Sequence, residues 1–117
     1  MSVKVYGIKN CNTMKKTFDY LQEKGVSYEF YDYKKEKPTI SLLEGFLEKT
    51  DIDSLINRKG MTFRKLDDET KEALNNQKQA LEILTEKSSM IKRPVITYPD
   101  GSLTLGFVPE LIDEHLA

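Results

Sequence analysis

Near its start the chain passes from an apolar, β-branched run directly into a helical repeat, and this succession constrains the fold more than any other feature. Residues 3–8 are rich in valine and isoleucine and are punctuated by glycine and asparagine, which predicts a short buried strand. A helix is predicted over about residues 12–24, because apolar side chains recur there at spacings of four and three. The aromatic residues 28–33 predict a second strand. Together these elements form a βαβ unit, whose strands should be parallel with a right-handed crossover.

Residues 39–90 predict a series of short helices. Thr39 or Ser41 can cap the first of them, and the acidic residues that begin at Asp67 suit the N-terminus of a later one. Residues 61–66 fit neither a strand nor a helix pattern clearly. This part of the chain is therefore predicted to be a helical insertion.

The last part of the chain returns to strand character. Two short apolar runs at residues 94–98 and 103–107 flank a Pro-Asp-Gly-Ser turn, which predicts an antiparallel hairpin, and Pro109 opens a final helix. The order βαβ, helices, ββα predicts an α/β protein of thioredoxin-like fold with a mixed four-stranded sheet. With 117 residues the chain is expected to form one domain. Its thioredoxin-like part would cover about residues 1–38 and 91–117, with the inserted helical subdomain at about 39–90.

The only cysteine, Cys11, lies in the turn between the first strand and the first helix. Backbone N–H groups at a helix N-terminus have no intrahelical acceptor, so those of the two or three residues that follow Cys11, beginning with Asn12 and Thr13, can bond a thiolate, which the helix dipole also favours. The Thr13 hydroxyl and the ammonium group of Lys15, one turn on, can add to this effect. We therefore expect the pKa of Cys11 to be lowered, which makes the nucleophilic thiolate abundant at neutral pH.

The alternative for a lone cysteine is that it is a small buried apolar residue. A structural cysteine would lie on the periodic face of the helix with Met14 and Phe18, but Cys11 precedes that face. Position therefore favours the reactive interpretation.

Composition excludes several other classes of function. The 18 basic and 19 acidic residues are mixed along the chain, so there is no basic stripe of the kind that binds nucleic acid. No apolar run approaches the length of a membrane span, and no export signal precedes the first strand. One cysteine and one histidine argue against a zinc site and against an internal disulfide, so we expect a cytoplasmic, monomeric protein without a bound metal.

Pro94 opens the first strand of the hairpin. In a thioredoxin-like architecture the loop before this strand approaches the turn that holds Cys11, and only an X–Pro bond adopts the cis form cheaply. Pro94 is therefore predicted to follow a cis peptide bond, and Cys11, Arg93 and Pro94 should share one surface.

Four groups of residues, in this order and spacing, resemble a known family. They are the run from Tyr6 to Thr13 with Lys15-Lys16, then Leu55-Ile56-Asn57-Arg58, then Arg93-Pro94-Val95-Ile96, and finally Gly106-Phe107. The chain resembles the arsenate-reductase-like (ArsC/Spx/YffB) branch of thioredoxin-fold proteins over nearly its whole length, and within it most closely the YffB type.

The resemblance implies that Cys11 is a nucleophile and that arginines beside it bind an oxyanion. Arg58 and Arg93 stand at two of the three arginine positions of the family's arsenate reductases, while Phe107 occupies the third. Spx-type members often carry a second cysteine where this chain has Met14. Planar guanidinium groups pair well with carboxylates and oxyanions, so Arg58 and Arg93 are predicted to bind substrate. Pro94, which should share the surface of Cys11, is the third predicted substrate-binding residue.

Two functions are compatible with these residues. The first is a thiol-dependent reductase that acts on a disulfide or on an arsenate-like oxyanion. A lone Cys11 cannot resolve its own covalent adduct, so this reading requires glutathione or a similar small thiol as co-substrate and no bound cofactor. The second is an Spx-like transcriptional regulator that binds the RNA polymerase α-subunit without catalysis.

Overall fold

The computed structural model describes residues 2–117, which divide into two compact units. One contains the chain up to Glu36 together with Arg93–Ala117, and the other is Lys37–Lys92. In chain order the elements are β1 (Val3–Gly7), α1 (Asn12–Glu23), β2 (Tyr28–Asp32), α2 (Ile40–Leu47), α3 (Ile52–Leu55), α4 (Met61–Arg64), α5 (Asp68–Ala73), α6 (Gln77–Glu86), a 3₁₀ helix (Ser88–Met90), β3 (Val95–Thr97), β4 (Leu103–Leu105) and α7 (Pro109–Leu116).

The first unit is built on a mixed four-stranded sheet with the strand order β2-β1-β3-β4. Strands β1 and β2 are parallel, as a βαβ unit requires, whereas β1–β3 and β3–β4 are antiparallel. Val5 on β1 lies opposite both Phe30 and Ile96, so residues from both halves of the chain meet across this strand. The predicted α/β fold with thioredoxin-like element order is confirmed.

Helices α1 and α7 cover one face of this sheet. A buried cluster lies between the sheet and these helices. It is formed by residues of β1, of β3 and the position after it, and of both helices, namely Val3, Val5, Met14, Leu21, Ile96, Tyr98 and Ile112. Cys11, which is half-buried, packs against this cluster. The sulfur therefore lies at the margin of the apolar core.

Both strands of the hairpin are shorter than predicted. Strand β3 begins after Pro94, which has no N–H to give to a ladder. Strand β4 ends before Gly106, whose φ of 79° takes the backbone out of the extended region. Phe107 consequently lies in the connection to α7 and not in a strand.

The second unit consists of short helices with clear N-terminal caps. Side chains of Thr39, Asp51, Asp67 and Asn76 each accept a hydrogen bond from the backbone N–H three residues on. The ambiguous residues 61–66 contain a single helical turn, α4. Within this unit α2 packs against α6, and Lys37 forms an ion pair of 2.6 Å with Glu86.

The cap at Asp67 gives this unit a pH dependence. Hydrogen bonds from the hydroxyl and the backbone N–H of Thr70 lower the pKa of Asp67 below its ordinary value of 3.8. Because the folded-state pKa is the lower one, this cap stabilises the fold above the ordinary value and stops doing so as pH falls through the lowered pKa. We expect Asp67→Asn, which keeps an oxygen acceptor but does not titrate, to show a smaller fall in Tm below about pH 4 than the wild type.

Thermal unfolding followed by circular dichroism between pH 3 and pH 7 measures this effect. Asp68→Asn removes a carboxylate from the neighbouring, exposed position and serves as the control. If Asp67→Asn and the wild type lost Tm equally on acidification, the cap would not be the source of the pH dependence.

Candidate active site around Cys11

Cys11 is the N-cap residue of α1. Its backbone is extended (φ −151°, ψ 133°), its carbonyl accepts a hydrogen bond from the N–H of Lys15 at 3.0 Å, and its own N–H bonds the carbonyl of Lys9 at 3.0 Å. This tight turn carries the chain from the end of β1 into the helix. Cys11, which is half-buried, is thereby held at the helix N-terminus.

Several groups compete to set the pKa of Cys11. Partial burial raises it, because a thiolate is poorly solvated next to the core. Hydrogen bonds from the backbone N–H of Met14, from the Arg93 side chain and from the backbone N–H of Thr13, together with the positive charge of Arg93, act in the opposite direction and prevail. The pKa of Cys11 is therefore lowered, which favours the thiolate.

Arg93 reaches the sulfur from the other half of the chain. The Arg93–Pro94 peptide bond is cis, as the sequence predicts, and the carbonyl of Pro94 accepts a hydrogen bond from the N–H of Gly106 at 2.8 Å. Pro94 is buried and Arg93 is half-buried. The strand pairing that follows, with Val95 opposite Tyr6, brings this loop to the end of β1 from which the Cys11 turn starts.

Gly7 allows the close packing behind the site. A Cβ at this position would lie 2.7 Å from Sδ and 2.8 Å from Cε of Met14, and 3.5 Å from Cβ of Arg93. Met14 is fully buried, and its backbone N–H is one of the two that bond the Cys11 sulfur. The lack of a side chain at Gly7 thus allows the end of β1 and the first turn of α1 to approach each other closely.

A cavity of about 500 Å³ opens beside Cys11 along α1. It is lined by Lys9, Asn10, Cys11, Asn12, Lys15, Phe18, Asp19 and Gln22. Two of the predicted thiolate neighbours, Asn12 and Lys15, therefore line the same cavity as the thiol. Of the two groups of Thr13 that were expected to act on the thiolate, the backbone N–H is the one that lowers the pKa of Cys11.

The N–H of Met14 is among the two or three amides after Cys11 that were expected to bond the thiolate. The cavity beside Cys11 was not predicted, and Lys9 was overlooked because a lysine near a strand end is usually solvated. A usable signal for the cavity was present in the stripe Lys15, Phe18, Asp19 and Gln22, whose spacing places all four on one side of a helix.

Arg58 belongs to the second unit. Its guanidinium forms an ion pair with Asp53 at 3.0 Å and lies 5.5 Å from the ring centroid of Phe63. Its predicted substrate contact stays a prediction. Phe107, at the third arginine position implied by the family resemblance, is half-buried and makes an edge-on contact with Tyr20, with centroids 5.7 Å apart.

Within residues 2–117 no three His, Cys, Asp or Glu side chains are grouped so that they could hold a metal ion. Across the same residues, no helix combines the length and the apolar character needed to cross a membrane.

The profile of the ArsC family matches residues 6–115. The chain belongs to the ArsC family. It is 34% identical over 105 residues to an uncharacterized protein of Haemophilus influenzae, with 90% of each chain covered. It is 29% identical to the uncharacterized protein YusI of Bacillus subtilis over the full length of both.

Solved structures of related proteins agree with this assignment. The YFFB protein is 38% identical and superposes with a TM-score of 0.92, covering 99% of this chain and 100% of that one. An arsenate reductase (ArsC) related protein from Brucella melitensis is 40% identical, with a TM-score of 0.75 over 99% of this chain and 95% of that one. An arsenate reductase from Vibrio cholerae, at 18% identity and a TM-score of 0.76 over 98% of both chains, shares the fold. The resemblance seen in the sequence is confirmed at the level of the ArsC family and the YffB-like fold.

Proposed function

We propose that this ArsC-family protein is a thiol-dependent reductase in which Cys11 is the single nucleophile and a small external thiol, such as glutathione, completes the cycle. The observation that carries this proposal is the convergence of two backbone N–H groups and the Arg93 guanidinium on the Cys11 sulfur. These donors favour the ionised form, which is the attacking species in thiol–disulfide exchange. The same donors face an anionic group that develops on a substrate bound at the sulfur.

Because only one cysteine is present, the proposed reaction takes two thiol–disulfide exchange steps, the second of which needs an external thiol. The Cys11 thiolate attacks the glutathionyl sulfur of a mixed disulfide R–S–S–G, the new Sγ–S bond forms, and the substrate leaves as a thiolate that takes a proton from solvent. A second glutathione thiolate then attacks the outer sulfur of the adduct. Oxidised glutathione leaves and the electron pair of the broken bond returns to Cys11. Overall, the mixed disulfide R–S–S–G and one glutathione are converted to the free thiol R–SH and oxidised glutathione.

An organic disulfide is the proposed substrate in preference to a tetrahedral oxyanion. The third arginine position implied by the family resemblance holds Phe107, whose ring packs against the core cluster and Tyr20 and can offer no charge. A trianionic or dianionic oxyanion would lose one of its three counter-charges at that position. Arg93 beside the sulfur is proposed to contact a single negative group, and Arg58 is proposed as a further contact.

Incubation with oxidised glutathione tests the proposal. We expect the intact protein to gain one glutathionyl group on Cys11 at neutral pH, and reduced glutathione to remove it. Cys11→Ser should gain none and should show no turnover in a coupled glutathione reductase assay, while its circular dichroism spectrum stays that of the wild type. A wild-type mass that does not change under excess oxidised glutathione would refute the proposal.

A further inference from the structure

Another cavity lies at the carboxyl ends of the parallel strands β1 and β2. Its volume is about 380 Å³, which falls within the range of small-molecule sites in proteins. Gly7 lies opposite Asp32 in the strand register, so the loops that leave the two strands form the walls. The lining residues are Lys9, Phe30, Tyr31, Asp32, Lys35 and Glu36.

One wall of this cavity is a turn that Asp32 holds in place. Its Oδ1 atom accepts a hydrogen bond from the backbone N–H of Lys34 at 2.9 Å. Its carbonyl accepts two more, from the N–H of Lys35 at 3.0 Å and from the N–H of Glu36 at 2.9 Å. The backbone that carries three of the charged lining residues is therefore set before any ligand arrives, which lowers the entropic cost of binding.

Tyr31 supplies an aromatic surface to the cavity. Its ring stacks on that of Tyr6, with centroids 4.9 Å apart and an angle of 17° between the two planes. The stacking holds the ring in one orientation, yet Tyr31 is still 37% exposed. Its exposed surface can therefore receive a second planar ring.

Four charged side chains line the cavity, and none of them takes part in the ion pairs found within residues 2–117. Those ion pairs are Lys24–Asp113, Lys37–Glu86 and Arg58–Asp53. Lys9 and Lys35 bring two positive charges to the cavity, and Asp32 and Glu36 bring two negative ones. Because the lining has no net charge but carries both signs, it suits a ligand that also carries both signs.

We propose that this cavity binds a free α-amino acid with an aromatic side chain. Lys9 and Lys35 contact its carboxylate, and Asp32 and Glu36 contact its ammonium group. Its ring stacks on Tyr31. A free amino acid carries both charged groups on one carbon, whereas the terminal residue of a peptide keeps one of them. Binding at this cavity needs no reaction at the thiol, so the proposal stands apart from the proposed reductase function.

Tryptophan is a suitable probe because the chain contains no tryptophan of its own. Its fluorescence anisotropy is measured at a fixed low concentration while the wild-type protein is added. We expect a dissociation constant on the order of 1 mM, as is usual for a ligand of this size. Tryptophanamide lacks the carboxylate and indole-3-propionate lacks the ammonium group, so each should bind about threefold to tenfold more weakly than tryptophan.

Paired variants connect each charge of the ligand to its partners in the cavity. In K9Q/K35Q, tryptophan should bind about threefold to tenfold more weakly, while the affinity for tryptophanamide should stay within about twofold of the wild type. D32N/E36Q keeps the oxygen with which Asp32 holds the turn. It should weaken tryptophan but not indole-3-propionate. Y31L loses the aromatic surface and should weaken all three ligands to a similar extent.

The control K16Q/K34Q has the same net charge as K9Q/K35Q but changes two exposed lysines outside this cavity, and should bind tryptophan as the wild type does. An equal loss in both double variants would show that the overall charge, and not the cavity, attracts the amino acid. The proposal would also be wrong if K9Q/K35Q weakened tryptophan and tryptophanamide equally, or if the wild type bound these two ligands equally well. A tryptophan anisotropy that did not change over the accessible range of wild-type concentration would overturn it outright.

Discussion

Replacement of Arg93 by methionine is expected to slow alkylation of Cys11 by iodoacetamide at pH 6 by about three- to tenfold. The Arg93 side chain donates a hydrogen bond to the Cys11 sulfur and places a positive charge beside it. Hydrogen bonds to charged groups contribute about 1.5–3 kcal/mol, which corresponds to roughly ten- to hundredfold in thiolate abundance. The less acidic thiol that remains is a better nucleophile per ion, and this offsets about half of the loss on a logarithmic scale.

The dependence of the alkylation rate on pH shows in which direction Arg93 shifts the pKa of Cys11. Because Arg93 lowers the pKa of Cys11, its removal should move the rise in alkylation rate to higher pH. At alkaline pH, where both thiols are ionised, the variant should react at least as fast as the wild type, since its thiolate is the better nucleophile. Arg93→Lys, which keeps the charge but not the planar donor group, should lie between them. Arg64→Met, at an exposed arginine of the second unit, is the matched control and should leave the profile unchanged. An Arg93→Met profile that coincides with the wild type would show that the arginine does not act on the thiol.

Met14→Ala should lower the free energy of unfolding by about 2–5 kcal/mol. Met14 is fully buried in the cluster between the sheet and helices α1 and α7, and its thioether fills the space above Gly7. Truncation leaves a cavity that the close approach of β1 and α1 cannot fill, since the backbone on both sides is fixed by hydrogen bonds. Urea denaturation of the two proteins measures the difference.

Two further variants show whether the loss comes from packing. Met14→Leu conserves most of the volume and should cost less than about 1.5 kcal/mol. Met61→Ala makes the same change as Met14→Ala at a side chain that is 64% exposed, and should stay within about 0.5 kcal/mol of the wild type. Equal losses for Met14→Ala and Met61→Ala would contradict the packing of the core as described.

Much of the architecture could be predicted because local sequence patterns indicate the strands and helices. The strand at residues 3–7 shows the apolar, β-branched run of a buried strand, and the helix from Asn12 shows the period of 3.6 of a half-buried helix. Gly106 and Pro94 shortened the predicted hairpin strands, since one adopts a positive φ and the other lacks an N–H. The single turn α4 could not be recognised, because four residues are too few for a helical period to show.

The site was predictable only in part, for a physical reason. The position of Cys11 at the start of α1 follows from local sequence. Its contact with Arg93 depends on the pairing of β1 with β3, and could be expected only through the predicted thioredoxin-like order of the elements. The shape of the neighbouring cavity depends on the stacking of Phe18 on Tyr28, which lies on the next strand. Contacts of this kind arise from tertiary structure, and the period of a single helix does not reveal them.

The place of β1 within the sheet has a consequence for how the thiol works. This strand is interior, hydrogen-bonded to β2 on one side and to β3 on the other, whereas β2 and β4 lie at the edges. Thermal opening starts at edges and ends, so the backbone that leads to Cys11 is among the last to open. In the proposed cycle the sulfur would therefore gain and lose its substituent while the strand that leads to it stays closed.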